Sequence, residues 1–554
     1  MRIVYRVTTV LIALLTLSAN AFCQTWNWGK QVAALPDGGD GANRVTGVSV
    51  NTSEDVFVIG NYSDSVLIGG LKLVQPLNKG DECYVAKLNS SGTVAWAKGM
   101  GSQYFDNAID ITSDPDGNSY VAVDFEGTLD LDSLHLNAVS ISSVGIAKYN
   151  STGGVVWTRL FWNALQGPGG IVYYKNHIYA AINRTLIKYT TDGDTVWVRS
   201  MPDNVSIPFE YNDVAIDSSG HIVTTGSFTY RAIFGNDTLQ AASVTDVDFF
   251  VAKFDEDGIP LWASGGGAPS ALTQEDVGRA VTVAATGEIY AVGKYKGTAH
   301  FDADSIQSGN ATYEMFITKY DSDGHLMWVK GGNGPNGSSE AYGVASLPNN
   351  DILVAGSYTN RVTIVDTTFL VTIGDVLMLR ITSDGDRRWG KRSNSSPAGV
   401  KSYCLAMNST GTNAYVGGQM TSSSIFGPST LTIVSGVGDG WIAQMGISVL
   451  TDVREIVDAP LPHSFALAQN YPNPFNPTTT IEFQLPRASH ATLTVYNLLG
   501  QCVRRLVDED LAAGSYLSTW DGDDDQHHRL SSGVYFYRLQ TDSFTESHKM
   551  TLLK

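Results

Sequence analysis

Apolar and polar residues alternate with a period of two in short runs along most of the chain, and the runs repeat. Tyr84-Val-Ala-Lys-Leu, Phe250-Val-Ala-Lys-Phe and Phe316-Ile-Thr-Lys-Tyr each lead through a glycine turn, at Gly92, Gly258 and Gly324, to Trp96, Trp262 and Trp328. Trp157, Trp197 and Trp389 follow similar phrases. Alternation of this kind between Gly, Asp and Asn clusters predicts strands and tight turns. The fifth unit shows four of them. Ala280-Val-Thr-Val turns at Gly287 into Ile289-Tyr-Ala-Val-Gly; Phe316-Ile-Thr-Lys-Tyr turns at Asp321-Ser-Asp-Gly into His325-Leu-Met-Trp.

Two fragments have no partner nearby. Trp28 lacks a preceding phrase, and Gly440-Trp441-Ile442-Ala443-Gln444-Met445 lacks a following tryptophan strand. Each completes the other if the ends of the array meet. A repeat of roughly 40 to 65 residues, rich in β-formers, is the pattern of a β-propeller, in which closure protects strand edges. The expectation is an all-β chain: a seven-bladed propeller closed by its N-terminal strand, then a small Ig-like β-sandwich. The tryptophans should pack between neighbouring sheets, where a large aromatic buries about 150–250 Å². Their identical placement in each unit suits packing better than a sugar platform.

Phe250-Val-Ala-Lys-Phe-Asp-Glu-Asp-Gly, with Trp262 beyond it, and Gly287-Glu-Ile-Tyr-Ala-Val-Gly resemble the bacterial seven-bladed β-propeller repeats of the SBBP type, over about residues 24 to 449. The likeness is looser in the third unit, which lacks the excursion after its second strand, and in the seventh. It implies a fold and an extracytoplasmic setting. It implies no single activity, because propellers host many.

At 554 residues the chain exceeds one core. Met1-Arg2 and Arg6, then Val7 to Leu17 and Ala19-Asn20-Ala21, have the charged, apolar and small-residue regions of a signal peptide, assigned to residues 1–21. That apolar run is too short to span a bilayer, and no later one reaches ~20 residues. Phe22 before Cys23 argues against a lipid anchor. Cys83, Cys404 and Cys502 are too scattered for a disulfide framework and are expected to be reduced and at least partly buried. A net charge of −19 excludes nucleic acid as a partner, which needs clustered Lys and Arg.

The propeller is assigned to residues 22–449, a linker with Pro460 and Pro462 to 450–465, and a β-sandwich to 466–554. Asn470-Tyr-Pro-Asn-Pro-Phe-Asn-Pro, Val495-Tyr-Asn-Leu-Leu-Gly-Gln, Trp520-Asp-Gly, Ser532-Gly-Val-Tyr-Phe-Tyr and Lys549-Met-Thr-Leu-Leu-Lys554 resemble, in order, the type A C-terminal sorting domain of the type IX secretion system of Gram-negative bacteria. The resemblance implies Sec export, recognition of the folded tail by the outer-membrane translocon, and release or display at the cell surface. The prolines of its opening phrase are expected at an edge.

No nucleophile elbow, HExxH, phosphate loop or paired histidine ligands occur. Asp114-Pro-Asp116-Gly117, Asp255-Glu-Asp257-Gly258 and Asp321-Ser-Asp323-Gly324 leave calcium as the one cofactor to consider, but they lack an EF-hand's later ligands and are what hairpin turns require. The long segments Gly127 to Ser143, Ala232 to Val247, Thr298 to Thr312 and Arg361 to Gly374 share one face of the disc with the inter-blade loops, and recognition concentrates on such loops. Asp106, Glu210, Asp276 and Glu340 recur where those loops enter the innermost strands. They are candidates either for a partial carboxylate ring at the channel mouth or for acceptors of backbone N–H groups within the loops. The leading expectation is a non-catalytic secreted or surface propeller binding protein or glycan. The alternatives are an extracellular polysaccharide lyase or hydrolase working at the channel mouth, and a structural surface or matrix component.

Overall fold

The alternating runs form strands throughout, and in the computed structural model no described residue is helical. The structure describes residues 26–447 and 453–553 apart from 35–42, 64, 75–79, 133, 140–141, 162–166, 202–208, 270–274, 310–311, 335, 366, 372–373, 394–398, 435–437, 456–461, 488, 512 and 525–528. The signal peptide and His527-His528 lie outside these. Two units separate, Gln24–Val449 and Leu450–Lys554.

The first unit is a β-propeller of four-stranded antiparallel sheets. The fourth sheet pairs Phe209–Ile216, Ile222–Thr229, Val247–Phe254 and Pro260–Gly267 in chain order. Its second strand is buried at every position, whereas the outermost strand is half-exposed. The innermost strands are Arg44–Val50, Asn107–Ser113, Gly169–Tyr174, Phe209–Ile216, Val277–Val283, Ser339–Ser346 and Val400–Met407. Each packs against the next, and the last packs against the first. Strand Trp26–Ala34 pairs with Asp439–Gly446, with Trp28 opposite Gln444 and Gln31 opposite Trp441. The two orphan fragments of the sequence are thus neighbours in one sheet.

A recurring interlock explains the repeat phrase. The lysine of each phrase sits directly across from the tryptophan of the outermost strand: Lys148 opposite Trp157, Lys253 opposite Trp262, Lys319 opposite Trp328. In these three pairs both side chains reach the glycine turn of the next blade and donate to one carbonyl oxygen, whereas Lys87 opposite Trp96 pairs with Asp55 instead. Trp157 Nε1 and Lys148 Nζ each lie 3.0 Å from Thr191 O. Trp262 Nε1 and Lys253 Nζ lie 3.1 and 3.3 Å from Ser322 O. Trp328 Nε1 and Lys319 Nζ lie 3.1 and 3.0 Å from Ser383 O. At the closure Gln444 replaces the lysine, and Gln444 Nε2 and Trp28 Nε1 share Ser90 O at 3.2 and 2.9 Å. The turn must be glycine: Gly324 has φ +91°, and a Cβ there would meet Trp262 Cδ2 at 2.5 Å. Trp389 Nε1 has no hydrogen-bond partner among the described residues. It faces the last sheet, whose third and fourth strands come from opposite ends of the unit and share no turn. The tryptophans therefore join blades, but Trp262 and Trp328 are only half-buried against the turn rather than sunk in a core.

The long segments expected as loops are hairpins. Thr128–Leu131 with Leu134–Asn137, Arg231–Phe234 with Asp237–Gln240, and Thr298–Phe301 with Asp304–Gln307 are three of them. Their inner residues, such as Leu129, Phe234 and Phe301, are buried. Several also cross to the preceding blade: Phe301 pairs with Gly266, and Ile68 pairs with Val32. They strap adjacent sheets together at the rim.

The second unit is two four-stranded sheets around a core that includes Phe475, Phe483, Trp520 and Tyr537. Its first strand, Val453–Glu455, lies in the stretch assigned to the linker and pairs with Gly514–Trp520; three residues are too few for an alternation to show. Pro472, Pro474 and Pro477 lie in the connection between Ala466–Leu467 and Thr479–Leu485 rather than in an edge strand as expected. The opening phrase is stitched to the terminal strand: Asn473 Oδ1 accepts from Thr551 N at 3.0 Å, and Phe475 N and O bond Thr551 O and Leu553 N. Cys83 and Cys404 are buried thiols, whereas Cys502 is exposed, contrary to expectation.

Trp262→Ala removes apolar contact and one hydrogen bond from a blade interface, and should cost about 2–4 kcal/mol, below the value for a fully buried ring. Trp262→Phe loses chiefly the N–H bond and should cost about 1 kcal/mol. Denaturant unfolding of the two variants checks the order; equal losses would show that the ring contact on the turn contributes nothing.

Candidate functional site

Six of the seven innermost strands carry a β-bulge at the same level. Pairing skips one residue between Val45 and Gly47, Ala108 and Asp110, Tyr211 and Asp213, Gly278 and Ala280, Ala341 and Gly343, and Ser402 and Cys404. A bulge leaves its extra residue outside the ladder and re-aims the side chain. The skipped residues are Thr46, Ile109, Asn212, Arg279, Tyr342 and Tyr403, and all six line a cavity of about 500 Å³ bordered by every innermost strand. Small neighbours permit this: a Cβ at Gly278 would meet Thr225 Oγ1 at 2.1 Å, and one at Gly343 would meet Leu405 Cβ at 2.5 Å.

The bulge residues differ from blade to blade, so the channel is polarised. Arg279 Nε lies 2.7 Å from Glu340 Oε1, and Tyr342 OH donates to Glu340 Oε2 at 2.7 Å. The guanidinium of Arg279 stands 6.0 Å from the Tyr342 ring centre. Tyr342 and Tyr403 meet edge to face at 5.5 Å. Arg44 is held by amide oxygens, Asn107 Oδ1 at 2.9 Å and Asn61 Oδ1 at 3.3 Å. A second cavity, of about 400 Å³, adjoins this side and shares Tyr342; Glu340, Tyr313, Lys294, Lys401 and Gln419 border it.

The four acids singled out from the sequence do not form one group. Asp106 is buried and accepts from Ser102 N at 2.6 Å. Asp276 is buried and accepts from Ala268 N at 2.6 Å and Lys296 N at 2.9 Å. Both act within their loops. Burial pushes each carboxyl up to about 7 against those N–H bonds. Glu340 joins the channel through Arg279. Glu210 is half-buried; burial raises its carboxyl while Arg279 opposes the rise. The turn aspartates serve their turns: Asp321 Oδ1 accepts from Asp323 N and His325 N at 2.9 Å, and Asp255 Oδ1 accepts from Ile259 N at 2.8 Å. Among the described residues no three acidic, thiol or imidazole groups come together to hold a metal ion.

Two further sets of acids escaped the sequence reading. Asp110 and Asp213 lie beside bulges and latch neighbouring blades: Asp110 Oδ2 accepts from Ile171 N, and Asp213 Oδ2 from Val281 N, both at 2.9 Å. Burial raises them to about 7 and about 8, Asp110 itself adding to the rise at Asp213. A buried acid also begins the third strand in several blades, including Glu314, Asp375 and Asp248. Glu314 gathers the loop into the next blade, accepting from Gly334 N at 2.9 Å and Ser339 Oγ at 2.5 Å. Asp248 Oδ1 is buried without a hydrogen-bond partner among the described residues, and burial, then Asp246 and Asp276, push this carboxyl to about 8.

Residues 471–543 match the family described as the FlgD Ig-like domain. Over 361 residues the chain is 24% identical to an uncharacterized WD repeat-containing protein of Acanthamoeba polyphaga mimivirus, covering 57% of this chain and only 25% of that protein. A chain of the mitotic checkpoint complex aligns with a TM-score of 0.40 at 10% identity, over 80% of this chain and 98% of its own. PorZ, described as a bacterial surface component of the type-IX secretion system of Porphyromonas gingivalis, aligns with a TM-score of 0.25 at 10% identity, over 92% and 81%. The C-terminal WD40 domain of Sif2 aligns with a TM-score of 0.34 at 8% identity, over 74% and 97%. The propeller assignment rests on the strand pairing itself.

The raised carboxyls have a stability consequence. A folded state that holds protons more tightly than the unfolded chain is favoured by them below the ordinary carboxylate range, and loses that contribution as pH rises through the folded values. For Asp110, Asp213 and Asp248 the loss falls between about pH 4 and pH 8. The propeller should melt at lower temperature at pH 9 than at pH 5.5, and Asp248→Asn should reduce that difference. Melting curves at both pH values check it; an unchanged difference would remove Asp248 from the cause.

Proposed function

We propose that this chain is a closed seven-bladed SBBP-type propeller, exported through its C-terminal sandwich by type IX secretion to the surface or medium of a Gram-negative bacterium, where it binds an extracellular ligand without transforming it. The observation that carries the binding reading is the channel mouth. There a scaffold identical from blade to blade presents non-identical residues, Arg279, Tyr342, Tyr403 and Arg44, around one cavity. Rigid frames with variable, convergent polar groups are how binding sites are built. Against catalysis stands the use of the channel acids: Asp110 and Asp213 are tied to backbone N–H groups and Glu340 to Arg279, whereas glycoside chemistry needs a pair of carboxyls facing one bond.

The export reading is supported by the ordered sorting motifs and by the way Asn470–Pro477 is fastened to the terminal strand, which makes both ends of the tail one folded epitope. Deleting residues 470–554 should leave a propeller-containing protein in the periplasm; normal surface delivery of that truncation would overturn the sorting assignment. Screening the whole purified protein against glycan and peptide panels by thermal shift tests the binding reading. Tyr403→Ala should abolish the stabilisation that a hit produces, and turnover of a hit would establish an enzyme instead.

A further inference from the structure

The channel vestibule and the cleft beside it are contiguous. Tyr342 stands between them, and its hydroxyl is fixed by Glu340, which itself borders the cleft. The walls on either side differ from an ordinary peptide groove. Hydroxyl and amide groups of Ser338, Thr359, Thr421 and Gln419 line the cleft beside Tyr313, and among the described residues that line it there is no Leu, Ile, Met or Phe. Lys294 and Lys296 sit over the Tyr313 ring at 4.5 and 5.4 Å, so the ring of Tyr342, next to dense hydroxyl and amide donors and acceptors, is the face that suits a saccharide, whose rings offer C–H faces and many hydroxyls.

The charge of the two spaces narrows the class further. Arg279 is neutralised by Glu340, and Lys294 lies 3.3 Å from Glu275. Arg44 and Lys401 are different. Arg44 is oriented by two neutral amides and borders the vestibule; Lys401 is exposed at the cleft. Neither is ion-paired among the described residues. Tyr403, two positions beyond Lys401 on the same strand, lines the vestibule and meets Tyr342 edge to face. In a protein with a net charge of −19, two unneutralised cations at one mouth are a local exception to a field that repels polyanions. A neutral sugar would leave them unused, whereas carboxylates spaced along a chain would meet both.

Building on the binding site proposed above, we propose that the vestibule and the cleft are consecutive subsites for a uronic-acid oligosaccharide, with carboxylates met by Arg44 and Lys401 and a sugar ring set against Tyr342. Recognition then depends on pairing charge at a short range, so affinity falls as salt rises.

Isothermal titration of the whole protein tests this with four probes: tetragalacturonate, tetramannuronate, neutral maltotetraose and a hexaglutamate peptide. At least one uronate should bind, maltotetraose should not, and added salt should weaken binding. Lys401→Ala and Arg44→Ala should each reduce affinity about tenfold. Lys401 is exposed, so its variant should keep the parent melting temperature and remains a valid test if Arg44→Ala misfolds. Failure of both uronates to bind, or uronate binding indifferent to Lys401→Ala, overturns the proposal. If hexaglutamate alone binds and needs Lys401, the ligand class is wrong but the mouth is still the site. If no anionic probe binds while a panel hit survives Tyr403→Ala, the mouth itself is not the site.

Discussion

At four of the blade interfaces one carbonyl oxygen accepts from an indole N–H and from an ammonium or amide, and much of the propeller's order depends on that contact. A carbonyl has two lone pairs, and here both are used by side chains lying opposite each other on adjacent strands of the neighbouring sheet. The arrangement demands a tryptophan, a long donor one strand inward, and a glycine turn thin enough to sit beneath the ring. Those three requirements are the repeat phrase itself. The seam tests the rule: Gln444 replaces lysine at the closing sheet, and Trp389, facing the sheet whose third and fourth strands share no turn, has no acceptor among the described residues.

Because the interlock lies on the outer strands and the short-turn face, the inner strands are released from holding the ring in register by their own side chains. Asp110 and Asp213 still latch neighbours, but the bulge position beside them carries Ile, Asn, Arg or Tyr without disturbing the pairing. Scaffold and recognition surface are thereby separated in the sequence by single residues. That separation is why a strongly repetitive chain has a channel with an aromatic, cationic side and a plainer remainder.

Much of the architecture was legible because its cause is local and repeated. Alternation marked the strands, the Trp96 and Trp262 settings marked the interlock, and the unmatched Trp28 and Trp441 marked the seam. The site was less legible. A bulge inserts one residue into a period of two, so Tyr342 and Arg279 read as ordinary strand positions; only their variability at a fixed place in the repeat distinguishes them. Asp106 and Asp276 were visible as recurrent acids, but whether a carboxylate faces a channel or its own loop depends on which N–H groups the folded loop points at it. The hairpins read as loops because a four-residue strand such as Thr298–Phe301 has too few alternations to be seen, although its Phe301 pairs with Gly266 of the preceding sheet and is buried there with Ala299.

The seam also sets an order of events. Nine residues at one extreme of the propeller, Trp26–Ala34, are the missing edge of a sheet whose other strands end at Gly446. However the chain is made or moved, N-terminus first, Val32–Ala34 can meet Val66–Ile68 early, but the pairing with Asp439–Gly446 must wait while more than four hundred residues pass, since closing so long a loop is slow. Completion of the ring is therefore the final act of assembly, and no shortened product that stops before Asp439 possesses the edge on which its own beginning can rest.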